Sequence, residues 1–205
     1  MLKVGLTGGY ASGKSFVAAE LERLGCHLIY ADRLGHIVLE PGGEAFEPTL
    51  QEFGHEILAA DGIIDRKKLA SIVFADPPRL ALLNSFIHPA VIRLEEQMIT
   101  EFAAQNPHGV TVIEAAILIE TGRYKFFDRL ILTTCRLETQ IARAMARDKL
   151  TREQVLARLD RQLPGDEKRK YADYVIDTDG PKARTVCEVQ KVYSELKELA
   201  ESKRV

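Results

Sequence analysis

The feature that most constrains this chain is the segment GGYASGKS at residues 8–15, which directly follows an apolar run at residues 1–7. Gly8 and Gly13 have the spacing at which glycines let successive backbone N–H groups turn inward around a phosphate. The residues after Ser15 carry apolar positions at helical spacing, so the positive end of a helix points at the anion. An ordinary glycine-rich turn is the alternative, but strand, loop and helix in this order favour a phosphate-binding loop.

This loop predicts the residues that hold a nucleoside triphosphate. We expect Lys14 to neutralise the outer phosphates and to be essential for catalysis, and the Ser15 hydroxyl to ligate Mg²⁺. The predicted nucleotide-binding residues in this segment are Gly9, Tyr10, Ala11, Ser12, Gly13, Lys14, Ser15 and Phe16.

The composition narrows the range of partners. The chain has 205 residues, of which 46% are hydrophobic, and a formal net charge of −2, so nothing in the overall charge favours nucleic acid or an anionic membrane. Its three cysteines are far apart and include no Cys-x-x-Cys pair, which favours a reducing cytoplasm. Because the first apolar run leads directly into the loop, we expect no leader segment, and no apolar run is long enough to span a membrane. We expect a cytoplasmic monomer or weak homo-oligomer that binds neither nucleic acid nor membrane.

Further short apolar runs alternate with helical patterns along the chain. This alternation predicts an α/β fold of the P-loop nucleoside triphosphate hydrolase type, with a five-stranded parallel sheet and helices on both faces. After the first run, the candidate strands are residues 26–30, 110–113, 129–133 and 174–176.

The connection between the second and third strands is much longer than a simple crossover needs, which predicts a helical substrate-binding insert. Its predicted helices are residues 44–53, 66–74, 79–87 and 90–104, and the last two are separated by a turn at His88-Pro89. We therefore divide the chain into a nucleotide-binding core (1–31, 110–135 and 171–205), a helical domain (32–109) and a lid (136–170).

The lid assignment depends on the arginine-rich helices of residues 136–170. This segment contains ten Lys and Arg against six Asp and Glu, and Thr151 with Gln154 forms a capping-box pattern at the start of its second helix. The charge count alone favours a solvated pair of helices. As a lid, the segment would close over the triphosphate and exclude water, with Arg143, Arg147 and Arg158 available to bind phosphate oxygens.

Four further side chains are candidates for chemistry. Asp32 follows the second strand, where it would orient an acceptor hydroxyl and take its proton, or would simply cap the next helix. Glu114 ends the third strand and is a candidate metal ligand, as is Glu120 nearby, although either is equally suited to a structural role. His88 is either a packing residue or a contact to substrate.

Six stretches in order along the chain resemble those of the dephospho-CoA kinase family, and together they span almost its whole length. They are LTGGYASGKS (6–15), AD (31–32), IHP (87–89), the segment 143–148, RLDRQ (158–162) and ADYVID (172–177). The resemblance implies transfer of the ATP γ-phosphate to the ribose 3′-hydroxyl of dephospho-CoA, the last step of coenzyme A biosynthesis. It implies a fold of nucleotide core, CoA-binding helical domain and lid.

The same resemblance implies roles for residues outside the loop. Asp32 would be catalytic and would meet the acceptor ribose, and His88 would belong to the CoA-binding domain. Arg143 and Arg158 would belong to the lid, the first in a catalytic role and the second on the nucleotide.

Two stretches depart from the family pattern. Residues 116–120 read AILIE where the family has Pro-Leu-Leu-Phe-Glu, and residues 177–180 read DTDG where it has Asp-Asn-Ser-Gly. The second change removes an amide available to adenine, which leaves nucleotide selectivity open.

Two other functions compete with this interpretation. A nucleoside or nucleotide kinase would use the same loop and lid, but the helical insert favours a different acceptor. A nucleotide switch needs no small acceptor, but the chain has neither an Asn-Lys-x-Asp signature nor an Asp-x-x-Gly after the third strand.

Overall fold

The computed structural model describes residues 1–203. Its central feature is a five-stranded parallel sheet with the strand order β2-β3-β1-β4-β5. The strands are β1 (Leu2–Gly8), β2 (His27–Tyr30), β3 (Val110–Glu114), β4 (Arg129–Thr134) and β5 (Tyr174–Asp177). The α/β fold and the five strands predicted from the sequence are confirmed.

The middle of the sheet is buried on both faces, which explains its uninterrupted apolar runs. Every residue of β3 is buried. The parallel register places Leu6 of β1 beside Glu114 of β3 on one side and Ile131 of β4 on the other. The carboxyl ends of these strands therefore share one edge, where ligands bind in open parallel sheets, and β1 leads the glycine-rich loop to that edge.

The helices are numbered in chain order. They are α1 (Lys14–Arg23), α2 (Ala31–Ile37), α3 (Phe46–Phe53), α4 (Arg66–Val73), α5 (Pro77–Gln105), α6 (Leu137–Asp148), α7 (Arg152–Leu159), α8 (Gly165–Arg169) and α9 (Lys182–Ser202). Short 3₁₀ turns occur at His55–Ile57 and Arg123–Phe126. Within residues 1–203, none of these helices combines the length and apolar composition that crossing a membrane would need.

The chain divides into two compact units, of which the first comprises residues 1–29 and the chain from residue 102 onward. In this unit α1 packs on β1, β3 and α9. The predicted capping box of α7 is confirmed, because the Thr151 hydroxyl accepts from the Gln154 N–H at 3.3 Å and the Gln154 amide oxygen accepts from the Thr151 N–H at 2.9 Å.

The second unit, residues 30–101, is helical. Asp65 caps α4 by accepting from the backbone N–H groups of Lys67 at 2.9 Å and Lys68 at 3.3 Å. The buried apolar side chains of this unit include Leu34, Val38, Phe46, Phe53, Ile57, Leu69, Val73 and Leu83.

The helix boundary predicted at His88-Pro89 is wrong. Where the sequence predicted two helices, α5 runs without interruption from Pro77 to Gln105 with Pro89 inside it. Proline removes one N–H and crowds the carbonyl of the preceding turn, but the φ that it fixes suits a helix. Buried side chains on both sides of it, Leu83, Ala90 and Val91, keep the helix packed across this position. His88 consequently lies on an exposed turn of a continuous helix.

Candidate active site

Two residues of the glycine-rich loop have positive φ angles, which most residue types disfavour. Gly13 has φ 88° and Ala11 has φ 58°, both in the left-handed region. Gly8 lies so close to its neighbours that a Cβ there would be 2.2 Å from the Thr133 hydroxyl and 2.5 Å from the Ser12 hydroxyl. These two hydroxyls are hydrogen-bonded to each other at 2.7 Å. The hydrogen bond between Ser12 and Thr133 thus ties the loop to β4. A larger residue at Gly8 would displace this hydrogen bond.

The loop ends at the N-terminus of α1. Gly13 is the N-cap residue and provides no side-chain acceptor for the first turn of the helix. The first N–H groups of a helix have no partner within it and carry partial positive charge. Lys14 and Ser15 are the first two residues of this turn. The arrangement can therefore bind an anion such as a phosphate group.

The Lys14 ammonium lies over the loop itself. It donates to the carbonyl oxygens of Gly8 at 3.1 Å and Gly9 at 3.2 Å. A cavity of about 520 Å³ adjoins it, lined by loop residues 11–16 and by Arg143, Ala146 and Arg147 of α6. Two guanidinium groups and one ammonium group thus lie at the same cavity as the helix N-terminus.

Arg143 reaches the loop through Thr178, which follows β5. Its guanidinium donates to the Thr178 hydroxyl at 3.0 Å and to the Thr178 carbonyl at 2.6 Å. The Thr178 hydroxyl in turn donates to the Ser12 carbonyl at 2.9 Å. A Cβ at Gly13 would lie 2.9 Å from the same hydroxyl, so glycine is required there for space as well as for φ. The threonine that departs from the family pattern therefore supports the loop and Arg143.

Arg158 also reaches the loop, through Tyr10. Its guanidinium donates to the Tyr10 hydroxyl at 3.0 Å and lies over the Tyr10 ring, 5.4 Å from the centroid. Gln162, just beyond α7, accepts the Tyr10 backbone N–H at 2.8 Å. The arginine-rich segment is therefore in direct contact with the glycine-rich loop, and is not only a solvated pair of helices.

The two candidate glutamates have different surroundings. Glu114 is 7% exposed at the end of β3. Glu120 lies in an ion pair, since the Lys168 ammonium is 2.7 Å from its Oε1 and the Leu163 N–H donates to the same oxygen at 3.2 Å. The Lys168 side chain is 1% exposed. Glu120 is therefore engaged in a structural ion pair.

We expect Lys168→Met to lower the free energy of unfolding by about 3 kcal/mol, because it leaves the Glu120 carboxylate without its cation in a largely buried position. Chemical denaturation measures this change. Lys168→Met combined with Glu120→Gln should recover more than half of the loss, since no charge then remains there. The control Lys170→Met removes an exposed ion pair with Glu167 and should stay near wild type. If Lys168→Met and Lys170→Met lowered the free energy of unfolding equally, this account would be contradicted.

Two predicted site residues lie in the helical unit. Asp32 is exposed in the first turn of α2, and the N-cap of that helix is Tyr30, so Asp32 does not have the capping role that the sequence left open. His88 is exposed on α5.

The cysteines offer no nucleophile at this site. Burial raises the pKa of the Cys26 thiol to about 12, and it also raises the pKa of Cys135. Both thiols are therefore protonated at neutral pH. None of the three cysteines is in a disulfide.

The roles of Thr178, Asp148 and Gln162 at the loop could not be predicted from local sequence patterns. Asp148 and Gln162 both lie in stretches that carried the family resemblance, which was the available signal. Their spacing could not show that they reach Tyr10, because that depends on how α6 and α7 pack.

A family model and curated relatives both identify the chain as similar to dephospho-CoA kinases. A family model described as dephospho-CoA kinase matches residues 2–183. A dephospho-CoA kinase from Aquifex aeolicus is 39% identical over 196 residues, which is 96% of this chain and 98% of the relative. One from Geobacter metallireducens is 40% identical over 195 residues, covering 95% and 96% of the two chains.

Solved structures agree with the sequence matches. A crystal structure from Thermus thermophilus superposes with a TM-score of 0.81 at 33% identity, covering 99% of this chain and 98% of the other. A dephospho-CoA kinase from Campylobacter jejuni gives a TM-score of 0.73 at 29% identity, covering 96% and 97%.

Proposed function

The chain belongs to the dephospho-CoA kinase family, which performs the ATP-dependent phosphorylation of dephospho-CoA that completes coenzyme A biosynthesis, and we propose how its own residues carry out that reaction. The phosphate is transferred from ATP to the ribose 3′-hydroxyl. The observation that carries the proposal is the glycine-rich loop with Lys14 on the first turn of α1. Residues 9–16 form the segment that binds the phosphates, in which the Tyr10 N–H stays bonded to Gln162. The Lys14 ammonium leaves the Gly8 and Gly9 carbonyls to meet the γ-phosphate.

Asp32 is the proposed catalytic base. Support for this role comes from its exposed carboxylate directly after β2 and from the absence of a capping role. In phosphoryl transfer the acceptor hydroxyl must be held in line with the bond that breaks, and its proton is taken late. The Asp32 carboxylate accepts that hydrogen bond, orients the 3′-hydroxyl and then takes the proton.

Arg143 and Arg158 stabilise the charge on the transferred group. Both guanidinium groups make contacts beside the loop, Arg143 through Thr178 and Arg158 through Tyr10. A planar guanidinium can bind two phosphate oxygens at once. Residues 136–170 act as the lid that carries these arginines and keeps water from the γ-phosphate.

The residues present fit a magnesium ion. Among residues 1–203 no cluster of three or more His, Cys, Asp or Glu side chains could hold a metal alone. Mg²⁺ commonly takes one or two protein ligands and completes its octahedron with phosphate oxygens and water. The exposed Ser15 is the proposed ligand, and Glu114, the last residue of β3, is the proposed second contact through a metal-bound water. The ion supplies positive charge to the phosphate oxygens.

We expect Ser15→Ala to raise the Mg²⁺ concentration for half-maximal rate by about tenfold or more, because a metal ligand is lost. Calorimetric titration of ATP at several Mg²⁺ concentrations should show the same shift without turnover. The matched control Ser194→Ala removes an exposed hydroxyl on α9 that bonds only the Gln190 carbonyl. An unchanged Mg²⁺ dependence in Ser15→Ala would exclude the hydroxyl as a ligand.

The helical domain, residues 32–109, takes the CoA part of the acceptor, and His88 on α5 is its proposed contact to that substrate. The remaining nucleotide-binding core is residues 1–31, 110–135 and 171–205. We place the protein in the cytoplasm, supported by its three unpaired cysteines, as a monomer or weak homo-oligomer that binds neither nucleic acid nor membrane.

The acceptor assignment is tested by supplying ATP and Mg²⁺ with dephospho-CoA, adenosine, AMP or no acceptor, and measuring ADP release. Release should depend on dephospho-CoA and remain near the no-acceptor level with adenosine or AMP. Faster release with either nucleoside or nucleotide would favour that acceptor class instead.

A further inference from the structure

Tyr10 is the point at which the arginine-rich segment meets the phosphate loop. Its hydroxyl donates to the Asp148 carboxylate at the end of α6 and accepts from Arg158 of α7 at 3.0 Å. Its backbone N–H donates to Gln162 at 2.8 Å. One loop residue is thus hydrogen-bonded to three side chains from two successive helices and the turn after them.

Two charged side chains beside Tyr10, Arg147 and Asp148, form an ion pair. The Arg147 guanidinium forms a two-pronged contact with Asp148, with both N–O distances 2.9 Å, and lies 5.3 Å from the Tyr10 ring centroid. Hydrogen bonds from Arg147 and Tyr10 lower the pKa of Asp148 to about 2. The Asp148 carboxylate is therefore ionised at neutral pH and remains an acceptor for the hydroxyl.

We propose that Tyr10 is a positioning residue for phosphoryl transfer: its hydroxyl, bound between Asp148 and Arg158, sets the place of the lid arginines relative to the phosphate loop. The inference rests on the proposed function, in which Arg158 stabilises the charge on the transferred phosphoryl group. Tyr10 acts through the arginine, so its hydroxyl need not touch the transferred phosphate.

The chemistry of the contact explains why a tyrosine is used. The hydroxyl offers a donor to the carboxylate and a lone pair to the guanidinium at the same time. The hydroxyl therefore links the Asp148 carboxylate of α6 to the Arg158 guanidinium of α7 by hydrogen bonds. Ile141 and Ala144 of α6 form a buried apolar cluster with Val155 of α7, and the Tyr10 ring packs against this cluster. Apolar contacts of this kind are not directional, so they do not fix the orientation of the Arg158 guanidinium. Phenylalanine would keep the ring contacts and lose this directional link.

The test compares Tyr10→Phe with wild type and with the control Tyr171→Phe, which removes the hydroxyl of an exposed tyrosine outside the site. Steady-state rates give kcat and the KM for ATP. We expect Tyr10→Phe to lower kcat about tenfold, because a misplacement of about 1 Å can cost up to about 10²-fold. The KM for ATP should change less than about twofold, and Tyr171→Phe should match wild type in both values.

A double-variant cycle isolates the contact itself. If the hydroxyl acts through Asp148, then Tyr10→Phe combined with Asp148→Asn should be no slower than the slower single variant. Multiplicative losses would show that the two groups act independently and would overturn the proposal.

Amide hydrogen exchange of α7 in the ATP-bound protein supplies a readout that does not need an acceptor. We expect exchange there to be at least severalfold faster in Tyr10→Phe, since α7 loses its bond to the loop, while α9 should be unchanged. If Tyr10→Phe had the same kcat and the same amide exchange in α7 as wild type, the proposal would be overturned. Failure of the wild-type protein to phosphorylate dephospho-CoA would instead overturn the proposed function, and the exchange measurement would still decide the role of Tyr10.

Discussion

Replacing Lys14 with alanine is expected to reduce coenzyme A formation by about 10³-fold or more. The Lys14 ammonium lies on the loop carbonyls of Gly8 and Gly9, beside the cavity at the N-terminus of α1. When the γ-phosphate is transferred, negative charge on its oxygens must be neutralised in a site from which water is excluded. Alanine removes that cation from the loop. Single-turnover formation of coenzyme A measures the loss.

The control for this variant is Lys191→Ala, which removes an exposed lysine on α9 and adds a good helix former. It should retain wild-type turnover. Both variants should unfold at temperatures close to that of wild type, so that lost activity in Lys14→Ala reflects the missing charge. Turnover within tenfold of wild type in Lys14→Ala would contradict the role of this lysine.

Replacing Asp32 with asparagine is expected to lower kcat by about 10²- to 10⁴-fold while the KM for ATP stays within about twofold of wild type. Asparagine keeps the size and much of the hydrogen bonding of the side chain but cannot take the proton of the acceptor hydroxyl. ATP binding is assigned to the loop and α1, so it should not be affected. Initial rates at varied ATP and saturating dephospho-CoA separate the two parameters.

The matched control is Glu47→Gln, which neutralises another exposed acidic residue in the first turn of a helix of the same unit. Its kcat should equal that of wild type. If Asp32→Asn is as active as Glu47→Gln, Asp32 is not the base, and another residue must orient the hydroxyl.

The sheet could be predicted because buried parallel strands leave a direct trace in the sequence. The five apolar runs correspond to the five strands, and Glu114, predicted to end the third, is its last residue. Local chemistry also predicted the capping box at Thr151. The prediction failed at Pro89, where burial of Leu83, Ala90 and Val91 outweighs the lost hydrogen bond. Local propensity cannot show that outcome, because it depends on what packs against the helix.

The phosphate loop could be predicted from the spacing of Gly8, Gly13 and Lys14, since the close contacts at Gly8 and the positive φ at Gly13 require glycine. The contacts that support it could not. Thr178 reaches Ser12 across 166 positions of the chain, and Tyr10 reaches Gln162 across 152. Such contacts depend on tertiary packing, and no periodic pattern in the sequence records them.

We propose that the loop holds ATP for transfer of its γ-phosphate to the 3′-hydroxyl of dephospho-CoA. The most direct test incubates purified protein with ATP and Mg²⁺, with and without dephospho-CoA, with Lys14→Ala as the blank. It measures ADP release, the mass of the product and, by phosphorus NMR, the position of the new phosphate. We predict acceptor-dependent ADP release and a product one phosphoryl group heavier, with that group on the ribose 3′-oxygen, and none from the variant. ADP release that is equal without dephospho-CoA, or a phosphate at another position, would contradict the account.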